Sequence, residues 1–170
     1  VQQTYNWSPV ENFISENVKV RVSDADRPSV QDVSNSAFRI RGRLLMNVPN
    51  GDEKWYVGTK HWIEWTTTGT IPIGKLEYST NNGSTYNTVL ETVANSGSYE
   101  WTIPDALGNC LKGRVSDTRY ASEVNDATDG VFKVRGQLTL TAPVGALPEA
   151  WIVGSTQSVT WTKQGSIPTV

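Results

Sequence analysis

Histidine, cysteine and methionine each occur once in this sequence, as His61, Cys110 and Met46. A single cysteine excludes a disulfide within the chain. One histidine and one cysteine assemble neither a Ser/His/Asp nor a Cys/His constellation, and histidine is the most frequent acid–base side chain. The sequence therefore predicts no enzyme, no catalytic residue and no cofactor. Lys and Arg number 15 against 17 Asp and Glu, for a net charge of −2. The cations are scattered, so the electrostatic footprint of a nucleic-acid binder is missing. No apolar run reaches the length that spans a bilayer, so no membrane span is expected. What the chain does have is seven tryptophans and an abundance of Thr, Ser and Asn. That composition fits a cell-surface protein better than a cytosolic enzyme.

The chain also repeats itself. Tyr99 and Trp101 echo Tyr5 and Trp7, and Arg114-Val115-Ser116-Asp117 repeats Arg21-Val22-Ser23-Asp24. Phe132-Lys133-Val134-Arg135-Gly136 matches Phe38-Arg39-Ile40-Arg41-Gly42. Trp151-Ile152-Val153-Gly154 matches Trp55-Tyr56-Val57-Gly58, and Trp161-Thr162 matches Trp65-Thr66. The offsets lie between 93 and 96 residues. This period is too long for a solenoid unit and suits a whole small β-domain. It divides the chain into the C-terminal part of one repeat (1–42), a complete repeat (43–135) and the N-terminal part of the next (136–170). Joining the two ends would still omit a stretch equivalent to 74–95, so excision from a longer chain is the expectation.

Within the complete repeat, hydrophobicity alternates with period two and no helical stripe stands out. Strands are predicted over 44–48, 61–66, 74–79, 86–91, 98–103, 111–116 and 130–134. Pro49-Asn50-Gly51-Asp52 and Asn81-Asn82-Gly83-Ser84 supply turn chemistry between them. Seven short strands with regular turns predict an all-β fold of tandem immunoglobulin-like β-sandwich domains. Trp65 and Trp101 take the place of the missing disulfide as core fillers. The strand-like runs through Arg39–Gly42 and Lys133–Gly136 leave little slack, which predicts a stiff array.

The order of signatures carries a resemblance. Trp55-x-Val57-Gly58 and Ile63-x-Trp65 are followed by Lys75-Leu76-x-Tyr78-Ser79 and Asn82-Gly83-x-Thr85. Then come Gly97-x-Tyr99-x-Trp101-x-Ile103-Pro104-Asp105, Arg114-Val115-Ser116-Asp117 and Gly130-Val131-Phe132. This set resembles the Ig-like repeat of microbial surface proteins and the fungal Ser-Thr-rich, GPI-anchored cell-wall domain. The resemblance covers the complete repeat and both partial ones. It implies an extracellular, wall-associated or surface-displayed module and carries over no catalytic residue.

Several residues are candidates for function. Asp24, Asp26 and Asp117, with Asp126 and Asp129, are loop acids, and Asp24 and Asp117 are repeat counterparts. Oxygen-rich loops of this kind are candidates for calcium between successive domains, although the spacing matches no EF-hand loop. The same Asp could instead bond its own backbone at a strand end. Trp62 alternates out of phase with Ile63 and Trp65, and its counterpart is Ser158, so it is expected to face outward. Trp62 and His61 (counterpart Gln157) are the candidate partner contacts. Cys110, beside Leu111, is expected to be a small buried apolar residue. Asn82 in Asn82-Gly83-Ser84 is the better glycosylation acceptor, and Asn6 in Asn6-Trp7-Ser8 the poorer. Ser79-x-Asn81-x-Gly83-x-Thr85 reads as a turn whose polar side chains bond its backbone.

These readings combine into a non-enzymatic structural protein of the cell exterior: stalk, surface layer or filament. The expected partners are other copies of the chain or its repeats, with cell-wall polysaccharide as a further candidate. The alternatives are a carbohydrate-binding module of a secreted glycoside hydrolase and an adhesin.

Overall fold

Alternating side chains, Gly/Asn turns and strand-ending prolines leave strands as the only regular elements among the described residues. The computed structural model describes residues 3–145 and 150–169. Positions 1, 2, 146–149 and 170, which fall in the expected first and third segments, lie outside the described residues. The described strands are β1 (Ser15–Val18), β2 (Arg21–Ser23), β3 (Gln31–Val33), β4 (Phe38–Ile40), β5 (Arg43–Val48), β6 (Lys54–Tyr56), β7 (Lys60–Thr68) and β8 (Ile73–Ser79). They continue with β9 (Asn87–Ala94), β10 (Ser98–Thr102), β11 (Gly108–Asp117), β12 (Asn125–Ala127), β13 (Phe132–Arg135), β14 (Gln137–Ala142) and β15 (Thr160–Gln164).

The segment 43–135 forms two sheets. One has the order β10-β7-β5, and the other runs β6-β13-β11-β8-β9 with β12 added to β11. All pairings are antiparallel except β13 with β6, which is parallel and sets Val134 opposite Trp55. Both sheets contribute to a single apolar cluster. Leu44, Met46, Ile63, Trp65 and Trp101 come from the smaller sheet, and Leu76, Leu111, Val115, Phe132 and Val134 from the larger. Within it Trp55 lies 4.9 Å from Phe132, and Trp101 stands edge-on to Trp55 at 6.2 Å. Every buried apolar side chain among the described residues falls between Leu44 and Val134. At about 25 cal/mol per Å2 of buried apolar surface, this cluster dominates the stability of the chain.

Seven strands were expected in this segment and nine are present. The additions, β6 and β12, are three residues each, too short for alternation to reveal them; β6 pairs with the distant β13, and β12 with the preceding strand β11. The expectation for Cys110 is corrected. Its thiol is exposed, because along β11 it alternates with Leu111, which is fully buried.

The flanking strands pair in the registers of the central segment. Ser15 opposite Ile40 and Val18 opposite Phe38 correspond to Gly108 opposite Val134 and Leu111 opposite Phe132. Arg21 opposite Val33 corresponds to Arg114 opposite Ala127. Met46 opposite Trp65 reappears as Leu140 opposite Trp161, with the following irregularity reproduced. Burial does not repeat, however. Trp101 is 7% exposed and its counterpart Trp7 41%, while Trp65 is 3% exposed and Trp161 46%. The flanks therefore keep the strand pairing of the central segment and leave its apolar face uncovered.

Candidate contact surface and segment junctions

Trp62 lies on the outer face of β7, 53% exposed, as its register requires. Glu100 is its cross-strand neighbour on β10, and Glu100 is bound by Lys60 at 2.7 Å. The result is one indole beside an ion pair on an open sheet face. His61, by contrast, points to the opposite face. Its ring stacks on Trp55 at 4.6 Å, nearly parallel, and its Nε2 lies 3.0 Å from the Thr59 hydroxyl. Burial holds the imidazole below the usual histidine pKa. The period-two geometry of a strand thus places the two expected contact residues on opposite faces, Trp62 exposed and His61 partly buried.

Asp24, Asp117 and Asp126, of the candidate calcium ligands, are engaged by protein groups. Asp24 Oδ1 accepts the backbone N–H groups of Asp26 and Arg27, closing its own turn. Asp117 is buried and gives both carboxylate oxygens to Arg119, at 3.1 Å from Nε and 2.8 Å from Nη2. Asp126 accepts the N–H of Met46 at 2.8 Å. Among the described residues no group of three His, Cys, Asp or Glu side chains is placed to hold a metal ion. Asn82 stands exposed at its turn with φ of 56°, its N–H bonded to the Cys110 carbonyl. Beneath it the polar turn forms as its residues imply. Ser79 Oγ accepts from the N–H of Asn81 and Gly83, and Asn81 Oδ1 accepts from the N–H of Thr85. Asn6 is exposed, next to the half-exposed Trp7.

The most organised polar geometry lies where segments meet. At the first junction the Asn12 side chain grips Thr70 twice. Its Oδ1 accepts the Thr70 N–H and its Nδ2 donates to Thr70 Oγ1, each at 2.9 Å. At the second junction Asp105, the counterpart of Asn12, grips Ser166, the counterpart of Thr70. Asp105 Oδ1 accepts the Ser166 N–H at 3.0 Å, and the Ser166 hydroxyl donates to Oδ2. Hydrogen bonds from the Ser166 hydroxyl and then its N–H hold the Asp105 carboxylate below its ordinary pKa.

The linkers match as well. A methyl group on Gly42 would lie 2.8 Å from Ile71 Cδ1 and 2.9 Å from the Thr68 carbonyl. On Gly136 it would lie 2.6 Å from Ile167 and 2.8 Å from the Gln164 carbonyl, the same neighbours one repeat later. Around the first linker, Arg41 donates to the Ser15 carbonyl and to the carboxylates of Glu16 and Glu123, with its guanidinium 3.8 Å over the Tyr120 ring. Glu123 also binds Arg39. Arg135, the counterpart of Arg41, reaches Asn109, the counterpart of Glu16, at 2.5 Å.

Sequence reasoning singled out Arg39–Gly42 and Lys133–Gly136 and missed the clasps. The available signal was that Asn12/Asp105 and Thr70/Ser166 are repeat pairs able to exchange the same hydrogen bonds despite changed side chains. No protein-family model matches this chain, and no curated protein matches it. No helix among the described residues is long and apolar enough to cross a membrane.

Proposed function

We propose that the chain is a section of a tandem array of immunoglobulin-like β-sandwich units. On this reading the array is non-enzymatic structural material of the cell exterior, as stalk, surface layer or filament shaft. The observation that carries the proposal is the repeated junction. Two clasps, Asn12–Thr70 and Asp105–Ser166, and two tightly packed linker glycines, Gly42 and Gly136, sit one repeat apart. A side chain-to-backbone bond at each junction, with no room at the linker glycine, fixes the angle between neighbouring units. A fixed angle repeated along a chain gives a rod or a regular coil, and mechanical continuity is what such an object supplies. The arrangement β10-β7-β5 facing a sheet with a parallel β6–β13 pair suits the proposed sandwich. Electron microscopy of the source protein tests the reading: fibres or a lattice are expected, and isolated monomers would defeat it.

A second reading, as a carbohydrate-binding module, is favoured by one observation, the exposed Trp62 beside Lys60 and Glu100 on an open sheet face. An indole on a flat polar surface can stack on a sugar ring. Polysaccharide pull-down by wild type but not by Trp62→Ala would favour it, and no retained polysaccharide would end it.

A further inference from the structure

We propose that two copies of this chain pair face to face through the outer surface of the β10-β7-β5 sheet, around Trp62. The pairing needs only the segment 43–135; within a tandem array it would join two rods side by side.

Strand alternation sets one row of side chains from each of the three strands on that surface. Six of them stand out: Arg43 and Leu45 on β5, Lys60, Trp62 and Glu64 on β7, and Glu100 on β10, all exposed. Their counterparts one repeat away are Gln137, Thr139, Thr156, Ser158, Thr160 and Asn6, every one small or uncharged. The inward row of the same sheet keeps its character, Ile63 and Trp65 becoming Val159 and Trp161. The outward row of β11 on the larger sheet is retained too, since Lys112, Arg114 and Ser116 match Lys19, Arg21 and Ser23. The strand pair β14–β15 forms with Thr, Ser and Gln on its outer face. Strand pairing therefore does not require the indole, the leucine and the four charges that the central segment displays there.

The charges on β7 are self-complementary. Lys60 and Glu64 flank Trp62 at roughly 7 Å on either side along the strand. A two-fold axis lying in the contact plane, perpendicular to β7 and passing at Trp62, reverses the second strand. It sets Lys60 of each copy opposite Glu64 of the other and brings the two indoles together. Glu64 takes part in none of the ion pairs among the described residues. Lys60 holds Glu100 at 2.7 Å, so in the pair it would lie between a carboxylate of its own chain and one of the second copy. Arg43 and Lys60 balance Glu64 and Glu100, so the two faces approach without net repulsion. A neutral polysaccharide would use the indole and leave the order of charges without a role. A contact of this isologous kind closes on itself, which limits the product to a dimer. With one indole from each copy as its apolar centre, the dimer is expected to be reversible.

Sedimentation velocity on the 170-residue chain, over about a hundredfold range of concentration, tests the pairing. The 18.7 kDa monomer is expected to give way to a dimer as concentration rises. Lys60→Glu and Glu64→Lys each create two like-charge contacts, one on either side of the two-fold axis, and should weaken the dimer by roughly tenfold or more. A 1:1 mixture of these two variants sets opposite charges at both contacts and should dimerise. The double variant should recover dimerisation as well, which separates loss of the contact from loss of folding. Trp62→Ser, which installs the residue of the next repeat, should leave a monomer. A wild type that stays monomeric, or association indifferent to both charge reversals, would overturn the inference. A monomeric wild type retained on polysaccharide through Trp62 would overturn it in favour of a sugar. Any of these results leaves the array reading standing, because the form of the source protein in electron microscopy decides that separately.

Discussion

Replacing Gly42 by alanine asks whether the first junction is as closed as its geometry implies. The added methyl would stand 2.8 and 2.9 Å from Ile71 Cδ1 and Cγ1 and 2.9 Å from the Thr68 carbonyl oxygen. Comfortable contact lies near 3.5–4.0 Å, so a movement of roughly 0.6–1 Å is required. Ile71 is buried and packed in the core cluster, and Thr68 offers a backbone atom, so neither yields as the tip of a flexible side chain would. Overpacking of this kind costs about 1–3 kcal/mol. Alanine also restricts the unfolded chain, which offsets about 0.4–1 kcal/mol. The net expectation is a loss of about 0.5–2 kcal/mol, a two- to thirtyfold change in the folding equilibrium. Equilibrium urea denaturation, followed by near-ultraviolet circular dichroism of the aromatic cluster, reads this as a lower midpoint with unchanged slope. Gly136→Ala has the same clash one repeat later, against the third segment, whose apolar face is uncovered. It should leave the midpoint of the central segment nearly unchanged. A G42A protein as stable as wild type would refute the close packing inferred for the linker.

Three further expectations follow from individual groups. Glu77 is buried, accepts from Arg114 Nε and Nη2 at 2.9 and 2.7 Å, and lies 3.2 Å from Lys75. Glu77→Ala strands Arg114 and should cost about 1–3 kcal/mol, less than a fully buried pair because Arg114 is partly exposed; urea denaturation reads the loss. The pKa of His61 is lowered by burial, so folding opposes its protonation. Stability should therefore decline as pH falls below the ordinary histidine value through the lowered one, and His61→Gln should flatten that slope in thermal melts between pH 7 and 5. Asp105 has a depressed pKa, so its contribution is present above the ordinary aspartate value and disappears as pH falls through the depressed one. Amide exchange at Ser166 should accelerate over that acid range, and Asp105→Ala should give the fast rate at neutral pH.

Much of the strand order was legible because the central segment obeys one local rule. The β5, β7, β8, β10 and β11 segments were found within a few residues, and Ile63, Trp65 and Trp101 are buried as alternation required. The same rule puts Trp62 outside, and applied to Cys110 beside Leu111 it gives the exposed thiol. Strands β6 and β12 were illegible because a three-residue strand has no period and is defined by its pairing partner alone, β13 for β6 and β11 for β12. The alternative reading of Asp24 and Asp117, bonding to their own backbone, matches the turns they close, but the Asp117–Arg119 pair was missed because the neighbouring arginine across the turn was not weighed. The clasps joined residues 58 and 61 positions apart, a separation that only the repeat itself brings into view.

The central claim is that the junctions are fixed. It is tested most directly by the distance between spin labels on the two flanks. In a Cys110→Ser background, labels at Ala37→Cys and Thr156→Cys occupy exposed positions on the first and third segments. Pulsed electron resonance should then return one narrow distance distribution, unchanged by dilution to a concentration at which the chain is monomeric. A broad distribution would mean that the segments swing freely, and the reading of this chain as part of a rod would be wrong.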